Sequence, residues 1–215
     1  MGTETKEQKK QKRHRVGLLG GTFDPIHVGH LMMAEAVRSE YGLEKVIFIP
    51  AAVPPHKLDR HIAPAEDRYN MAVLATAANP YFEVSDIELK RPGPSYSIDT
   101  VRAFLEKYGE DTDFFFIIGA DVIHDIGTWN RIEKLLEICE FVTAQRPGSD
   151  PDDEGIRARF GELGEKHIHT LETPEFEISS TDIRERLKKG HSIRYIVPPE
   201  VEAYIYQKGL YKDEL

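Results

Sequence analysis

The segment GGTFDPIHVGH, residues 20–30, stands between two apolar runs of different character. Val16–Leu19 before it is short and continuous, as in a buried parallel strand, and Leu31–Tyr41 after it has the apolar spacing of a helix. Asp24 followed by Pro25 is typical of a helix start, because an Asp can cap the first turn and a proline there gives up no useful N–H. The segment therefore predicts a strand, a turn and a helix.

Two histidines in this segment, His27 and His30, share one helix face because they are three residues apart. They are expected to point into the space beyond the strand, which the backbone N–H groups of Gly20, Gly21 and Thr22 would also line. The N-terminus of the helix adds partial positive charge to that space. A tight glycine turn without function is the simpler alternative, and the usual G-x-G-x-x-G dinucleotide fingerprint is absent. The pattern favours a site for a nucleoside triphosphate.

Composition bounds the class of protein. A chain of 215 residues has room for one sizeable domain with a real core. Lys plus Arg is 28 against 37 for Asp plus Glu, giving a net charge of −9, which argues against a broad nucleic-acid surface. Cys139, the only cysteine, lies in an apolar run and is expected to be a small buried hydrophobe, so no disulfide can form within the chain.

The two ends of the chain could mislead. Residues 1–14 are polar and basic without an apolar run, so we interpret them as a disordered tail before a domain at 15–215, not as a signal peptide or membrane anchor. Lys212–Leu215 spells the endoplasmic-reticulum retrieval signal. We interpret it as a charged helix end, because nothing in the sequence would bring the chain into the lumen. We expect a cytoplasmic protein with no membrane partner.

Strand-like and helix-like segments alternate along the chain, which predicts an α/β fold with a Rossmann-like, doubly wound parallel sheet in a single domain. The predicted strands are Val16–Leu19, Val46–Pro50, Phe82–Leu89, Phe114–Ile118, Phe141–Ala144 and Ile168–Leu171. The predicted helices are Leu31–Tyr41, Pro64–Ala78, Ile98–Tyr108, Arg131–Ile138, Glu154–Leu163, Thr181–Lys188 and Pro199–Gln207. Ligands of such a sheet bind beyond the carboxyl ends of the strands, where the polar motifs fall.

Several motifs beyond residue 30 resemble those of one enzyme family. They are PPHK at 54–57, Arg68, Met71, PSYSIDT at 94–100, IGAD at 118–121, Trp129 and ISSTDIR at 178–184. With HVGH they are similar to the HxGH nucleotidyltransferase superfamily and, within it, to bacterial nicotinate-nucleotide adenylyltransferases. The resemblance covers nearly the whole chain from Arg15 onward. It implies a nucleotidyltransferase that moves the adenylyl group of ATP to nicotinate mononucleotide and releases pyrophosphate, a step of NAD biosynthesis.

The ISSTDIR motif predicts a second set of residues that bind the ATP phosphates. Ser179, Ser180 and Thr181 are typical cap residues whose hydroxyl and N–H groups can hold phosphate oxygens. Arg184 follows one turn later on the same face and could clamp the same phosphates. An ordinary capped helix with a solvated arginine is the alternative.

The resemblance implies further site residues. On the ATP side these are Phe23, Gly119 and Asp121, in addition to Gly20, Gly21, Thr22, His27 and His30. On the acceptor side they are Thr22, Lys57, Tyr96, Ser97, Trp129 and Arg146. In the family a tryptophan stacks on the nicotinate ring, a lysine approaches the mononucleotide phosphate, and backbone N–H groups meet the carboxylate. This sequence departs from the family pattern at Ser97, where threonine is usual, and at Ile126-Gly127, where leucine and proline usually precede the tryptophan.

Adenylyl transfer needs no covalent enzyme intermediate, and the sequence contains no convincing nucleophile with a paired base. Positioning and charge stabilisation carry such reactions, so we assign His27 and His30 to the ATP phosphates as protonated donors. Mg²⁺ is expected to arrive with ATP, and no metal site of the protein itself is predicted.

The alternatives are transfer to phosphopantetheine or to a pyrimidine nucleotide, a nucleotide-sensing module, and a tRNA-related enzyme. SYSIDT with the following tryptophan argues against transfer to phosphopantetheine or a pyrimidine nucleotide. The presence of both histidines argues against a nucleotide-sensing module. The acidic net charge argues against a tRNA-related enzyme. We therefore expect ATP and nicotinate mononucleotide as binding partners and no nucleic acid. A homo-oligomer is compatible with the sequence.

Overall fold

A computed structural model describes residues 13–54, 62–119, 122–145, 153–173 and 178–212. Its strands form one six-stranded sheet in the order β3-β2-β1-β4-β5-β6, and every neighbouring pair is parallel. The strands are β1 (His14–Gly21), β2 (Lys45–Pro50), β3 (Phe82–Val84), β4 (Thr112–Gly119), β5 (Glu140–Gln145) and β6 (Ile168–Glu172). The predicted α/β fold with a doubly wound parallel sheet is confirmed.

Helices connect these strands and cover both faces of the sheet. They are α1 (Val28–Glu40), α2 (Ala65–Thr76), α3 (Ser97–Tyr108), α4 (Ile132–Leu136), α5 (Asp153–His167), α6 (Ser180–Lys188) and α7 (Pro199–Lys208), with a short 3₁₀ turn at Ile126–Thr128. Alternate residues of the strands point to opposite faces. Leu18 of β1 belongs to the core under α3, α4 and α5, and Leu19 belongs to the core under α1, α2, α6 and α7.

Two local predictions were wrong. The helix after the first strand begins at Val28 with His27 as its N-cap residue, not at Asp24-Pro25, whose peptide bond is cis. The third strand ends at Val84 and not at Leu89, because the chain turns there and Lys90 N–H donates to Asp86 O. His14, which the sequence assigns to the polar tail, is the first residue of β1 and pairs with Thr112, and the residues before 13 lie outside the described part of the chain.

The strand order reverses between β1 and β4, the two central strands. Connections leave these strands toward opposite faces, so a crevice opens beyond their carboxyl ends. Gly21 ends β1 and Gly119 ends β4, and both therefore border this crevice. The fold places the first sequence motif and Gly119 at the same edge of the sheet.

Candidate active site

The imidazole rings of His27 and His30 are stacked at the start of α1, with ring centroids 3.7 Å apart and planes inclined by 30°. The backbone N–H of His27 donates to Nδ1 of His30 at 3.2 Å. That bond makes Nδ1 of His30 an acceptor, so the ring proton of its neutral form is on Nε2. The Phe23 ring makes a T-shaped contact with His30, with 5.1 Å between the ring centroids. The structure therefore places the two rings side by side, and their role at the ATP phosphates stays a prediction.

His27 is 7% exposed, and its Nδ1 finds no hydrogen-bond partner among the residues that the structure describes. Burial lowers the pKa of His27 from 6.5 to about 4. The ring is therefore neutral at pH 7 in the protein alone, and its expected protonated state depends on a bound anion. A phosphate beside the ring would favour the charged form and raise this pKa. A buried nitrogen without a partner is costly unless a ligand satisfies it.

Gly29 explains the spacing between the two histidines. A Cβ atom at this position would lie 3.1 Å from Nδ1 and 3.2 Å from Cε1 of His27. These distances are tighter than ordinary van der Waals contact, so a side chain here would press on the buried ring. Glycine at the third position of HVGH keeps the His27 ring in place.

Asp24 is 4% exposed and connects four separate segments of the chain. Its Oδ1 accepts hydrogen bonds from the backbone N–H of Ala63 at 3.1 Å and from the hydroxyl of Tyr211 at 2.8 Å. Arg184 donates to the backbone oxygen of Asp24 at 2.7 Å, and its Nη1 lies 3.6 Å from Oδ2. Asp24 therefore holds the turn before α1, the start of α2, helix α6 and the C-terminal segment together.

Arg68 of α2 is 1% exposed and reinforces the same region. Its guanidinium donates to three backbone oxygens, Ala63 at 2.9 Å, Thr22 at 2.7 Å and Ala52 at 3.2 Å. Burial lowers the pKa of Arg68, and the nearby Asp24 carboxylate opposes that shift. We refer to Asp24, Arg68, Arg184 and Tyr211 as the Asp24 cluster.

The ISSTDIR motif lies where the sequence predicts it, beside the histidine segment. Ser179 caps α6 by accepting the N–H of Asp182 at 3.0 Å, as predicted. Ser180 donates its hydroxyl to the backbone oxygen of Pro25 at 2.9 Å. Arg184 also donates to the hydroxyl of Thr181 at 3.2 Å. In this structure Ser180 and Arg184 therefore bind the histidine segment itself, a role that the sequence did not indicate.

On the other side of the crevice, Trp129 is half-buried at the end of the segment 122–129, which we name the acceptor loop. Its ring packs against Phe116 at 5.7 Å and Phe141 at 6.2 Å between centroids. Ile123 and Ile126 anchor the loop in the core. The ring is half-exposed, as predicted, and its use as a platform for a ligand stays a prediction.

The SYSIDT segment forms the start of α3, with Tyr96 as N-cap residue and Ser97 as first helical residue. The Tyr96 side chain makes no capping hydrogen bond to the first turn. Ser95 ties this segment to the loop after β2, because its hydroxyl accepts the N–H groups of Ala52 at 3.1 Å and Val53 at 3.4 Å. An uncapped helix N-terminus can receive a carboxylate.

Three predicted site residues, Lys57, Asp121 and Arg146, lie outside the described residues. Gly20, Gly21, Thr22 and Phe23 lie at or just after the end of β1, as predicted. Cys139 is buried and donates to Leu135 O, and burial raises the pKa of its thiol, in agreement with a structural role. Among the described residues, no group of three or more His, Cys, Asp or Glu side chains is placed to hold a metal ion, and no helix is long and apolar enough to cross a membrane.

The sequence did not indicate Asp24 as a buried anchor or Tyr211 as its partner. Asp24 looks like a helix cap in sequence because Pro25 follows it. Tyr211 is 187 positions from Asp24 in the chain, and no local pattern connects the two. The packing of α7 against α2 brings them together.

Comparison with known proteins agrees with this geometry. The family model described as cytidylyltransferase-like matches residues 18–186. A relative from Thermoanaerobacter sp. (strain X514) is 48% identical over 209 residues, covering 95% of this chain and 97% of its own. One from Moorella thermoacetica is 50% identical over 202 residues, covering 94% and 93%. Both carry the name "Probable nicotinate-nucleotide adenylyltransferase".

A solved structure of Plasmodium falciparum nicotinic acid mononucleotide adenylyltransferase, complexed with NaAD, has the same fold. Its TM-score is 0.76 at 22% identity, covering 92% of this chain and 97% of that one. The fold, the histidine pair and the family model define a nucleotidyltransferase of the cytidylyltransferase-like class. Within that class, the chain belongs to the nicotinate-nucleotide adenylyltransferase family. The predicted family and enzyme class are confirmed.

Proposed function

We propose that this protein transfers the adenylyl group of ATP to nicotinate mononucleotide, giving nicotinate adenine dinucleotide and pyrophosphate. The observation that carries the proposal is the stacked pair of His27 and His30 at the N-terminus of α1, where Nδ1 of His27 is buried and makes no hydrogen bond to any described residue. A triphosphate in the crevice beyond β1 and β4 would supply that partner. The family relationship supports the same reaction.

In the proposed reaction, a phosphate oxygen of the mononucleotide attacks the α-phosphorus of ATP, and the bond to the bridging oxygen of pyrophosphate breaks. His30 donates from Nε2 to the phosphates, and His27 becomes a donor at both nitrogens once the anion raises its pKa. The N–H groups at the start of α1 add fixed positive charge. These groups stabilise the charge that develops on the departing pyrophosphate.

Ser179, Ser180, Thr181 and Arg184 form the second side of the proposed phosphate site. Arg184 has a planar fork of donors, and the structure uses Nη1 for Asp24 and Nη2 for Thr181. We propose that a triphosphate competes for the Thr181 side of this fork while the bond to Asp24 keeps the guanidinium in place. The Asp24 cluster would then hold Arg184 in position before the triphosphate binds. Such positioning is the main contribution that a protein makes to phosphoryl transfer.

For the acceptor, we propose that the nicotinate ring stacks on Trp129 and that its carboxylate meets N–H groups near Tyr96 and Ser97. Lys57 would approach the mononucleotide phosphate, with Thr22 and Arg146 nearby. The half-buried ring and the uncapped start of α3 support this arrangement.

We expect Mg²⁺ to enter with ATP, because the described residues of the site are histidine, hydroxyl and guanidinium donors suited to phosphate. The Asp24 carboxylate, a suitable ligand by chemistry, already accepts from Ala63 and Tyr211. When bound, the ion would neutralise the β- and γ-phosphates and retain several waters. Activity should vanish with a chelator and return with magnesium. We further propose that the enzyme works in the cytoplasm, with no nucleic-acid partner.

The decisive experiment is a pyrophosphate-release assay with ATP and a panel of acceptors, namely nicotinate mononucleotide, nicotinamide mononucleotide, phosphopantetheine and a pyrimidine nucleotide. The proposal expects the highest kcat/KM with nicotinate mononucleotide and formation of the dinucleotide by mass. Release that depends on phosphopantetheine instead would overturn it.

A further inference from the structure

Helix α5 contains a bend that directs one arginine toward the acceptor loop. Gly161 has φ +55 and ψ −141 inside the helix, a conformation that L side chains rarely adopt. Three residues later, a Cβ on Gly164 would lie 2.8 Å from Ile156 and from Phe160, so only glycine lets the first part of α5 fold back this closely. The two glycines therefore build a bent helix with Arg159 just before the bend.

Arg159 spans an open cleft of about 380 Å³ that separates α5 from the acceptor loop. The walls include Ile123 and His124 from the loop, and Ile156 and Phe160 from α5. The guanidinium donates from Nη1 to the backbone oxygen of His124 at 2.8 Å. A charged donor on a backbone carbonyl is a strong hydrogen bond. It joins α5 to the loop at a point where the cleft prevents close packing.

The same guanidinium covers Gly127. A Cβ at position 127 would overlap Nε and Cζ of Arg159 and would lie 2.8 Å from Nη2. Any side chain at this position would therefore displace Arg159 from its bond to His124. Gly127 lies two residues before Trp129 in the same loop. Arg159 therefore constrains the loop at two points, His124 and Gly127.

We propose that Arg159 is a positioning residue for the mononucleotide acceptor: it holds the loop at His124 and over Gly127, and so fixes the Trp129 ring. This inference rests on the proposed function, because it takes Trp129 as the platform for the acceptor ring. It adds a residue on a different helix that controls acceptor binding and leaves ATP binding alone.

The experiment uses Trp129 as its own reporter, since it is the only tryptophan in the chain. Arg159→Ala should at least double the acrylamide quenching of Trp129 fluorescence. It should also raise KM for nicotinate mononucleotide threefold to tenfold, with KM for ATP changed by less than twofold. Arg159→Lys should restore part of both effects. Arg102→Ala, which removes an exposed arginine from α3, is the matched control and should change neither.

Gly127→Ala tests the second half of the proposal. Alone it should reproduce the quenching and acceptor effects of Arg159→Ala, and combined with Arg159→Ala it should add little, because the side chain it displaces is already gone. Full additivity of the two variants would overturn the proposal, as would unchanged quenching in Arg159→Ala. A wild-type protein that makes no dinucleotide would defeat the proposed function instead, while the quenching comparison would still decide whether Arg159 holds the loop.

Discussion

On the phosphate side of the crevice, Asp24 and Arg68 are almost fully buried and hydrogen-bonded to separate segments of the chain. On the acceptor side, Trp129 rests on Phe116 and Phe141, and the exposed Arg159 reaches its loop across a cleft. Buried polar networks fix geometry because each lost bond leaves a group unsatisfied. Apolar contacts across a cleft tolerate small shifts. We therefore expect the molecule to be rigid around the Asp24 cluster and more adjustable around Trp129.

The largest expected effect is a loss of turnover when a histidine of the stacked pair is replaced. His30→Ala removes a preorganised donor to the phosphates, and such losses reduce kcat by about 10²- to 10³-fold. ATP should still bind measurably, because Arg184, Ser179 and the helix N-terminus remain. Steady-state pyrophosphate release and calorimetric ATP titration measure the two quantities.

His191→Ala is a suitable control for this variant, because His191 is exposed and follows α6. It should leave kcat unchanged. Equal turnover of His30→Ala and wild type would contradict the role given to the histidine pair.

The second expected effect is a loss of stability below neutral pH from His27. Its pKa is about 4 in the folded protein against 6.5 ordinarily. Above pH 6.5 the ring is neutral in both states and has no effect. Between pH 6.5 and 4 the unfolded chain binds a proton that the folded protein does not, so stability falls by up to about 3 kcal/mol. Urea unfolding of wild type and His27→Gln at pH 7, 6, 5 and 4 measures this.

The difference between the two proteins is the informative quantity. Burial raises the pKa of the Glu88 carboxyl, so Glu88 adds stability as the pH falls, opposite to the effect of His27. This contribution is the same in wild type and in His27→Gln. The gap in unfolding free energy should shift in favour of His27→Gln as pH falls. A constant gap across this range would show that His27 titrates normally in the folded protein.

How far the sequence predicts this structure also differs between the two sides. The alternation of apolar runs placed all six strands, and the short separation of His27 and His30 predicted their pairing. The contact between Tyr211 and Asp24 joins distant segments and follows only from packing. The Asp24-Pro25 pair was misassigned because its cap signal is local, whereas the Asp24 side chain is recruited by Ala63 and Arg184.

The acceptor side shows a different limit. Trp129 was located by resemblance, but the contact between Arg159 and Gly127 is visible only in the structure. Arg159 lies in a polar helix segment with no sequence feature that relates it to Trp129. Contacts across a cleft leave no periodic pattern in the chain.

A third, smaller effect is expected at the edge of the Asp24 cluster. Tyr211→Phe removes the hydroxyl that donates to Asp24 at 2.8 Å and leaves the carboxylate with fewer donors. Hydrogen bonds to charged groups contribute about 2 kcal/mol, so the midpoint of urea unfolding should fall accordingly. Tyr206→Phe, which alters an exposed tyrosine of α7, should change stability by less than about 0.5 kcal/mol. Equal midpoints for the two variants would mean that the C-terminal segment does not secure Asp24.

The smallest expected effect is on the adjustable side and concerns the choice of acceptor. If N–H groups near Ser97 hold the nicotinate carboxylate, the amide of nicotinamide mononucleotide would turn its NH₂ toward donors with no acceptor between them. We expect kcat/KM for the acid to exceed that for the amide at least tenfold, which corresponds to about 1.4 kcal/mol. Trp129→Ala should weaken the use of both acceptors and preserve that ratio, because the ring stacks on either base while the carboxylate contact lies on α3. ATP binding should be nearly unchanged. Comparable kcat/KM values for acid and amide in the wild type would rule out the carboxylate contact, and the protein would be a dual-specificity enzyme. A loss of the acid-to-amide preference in Trp129→Ala would mean that the acceptor loop, and not the start of α3, selects the acceptor.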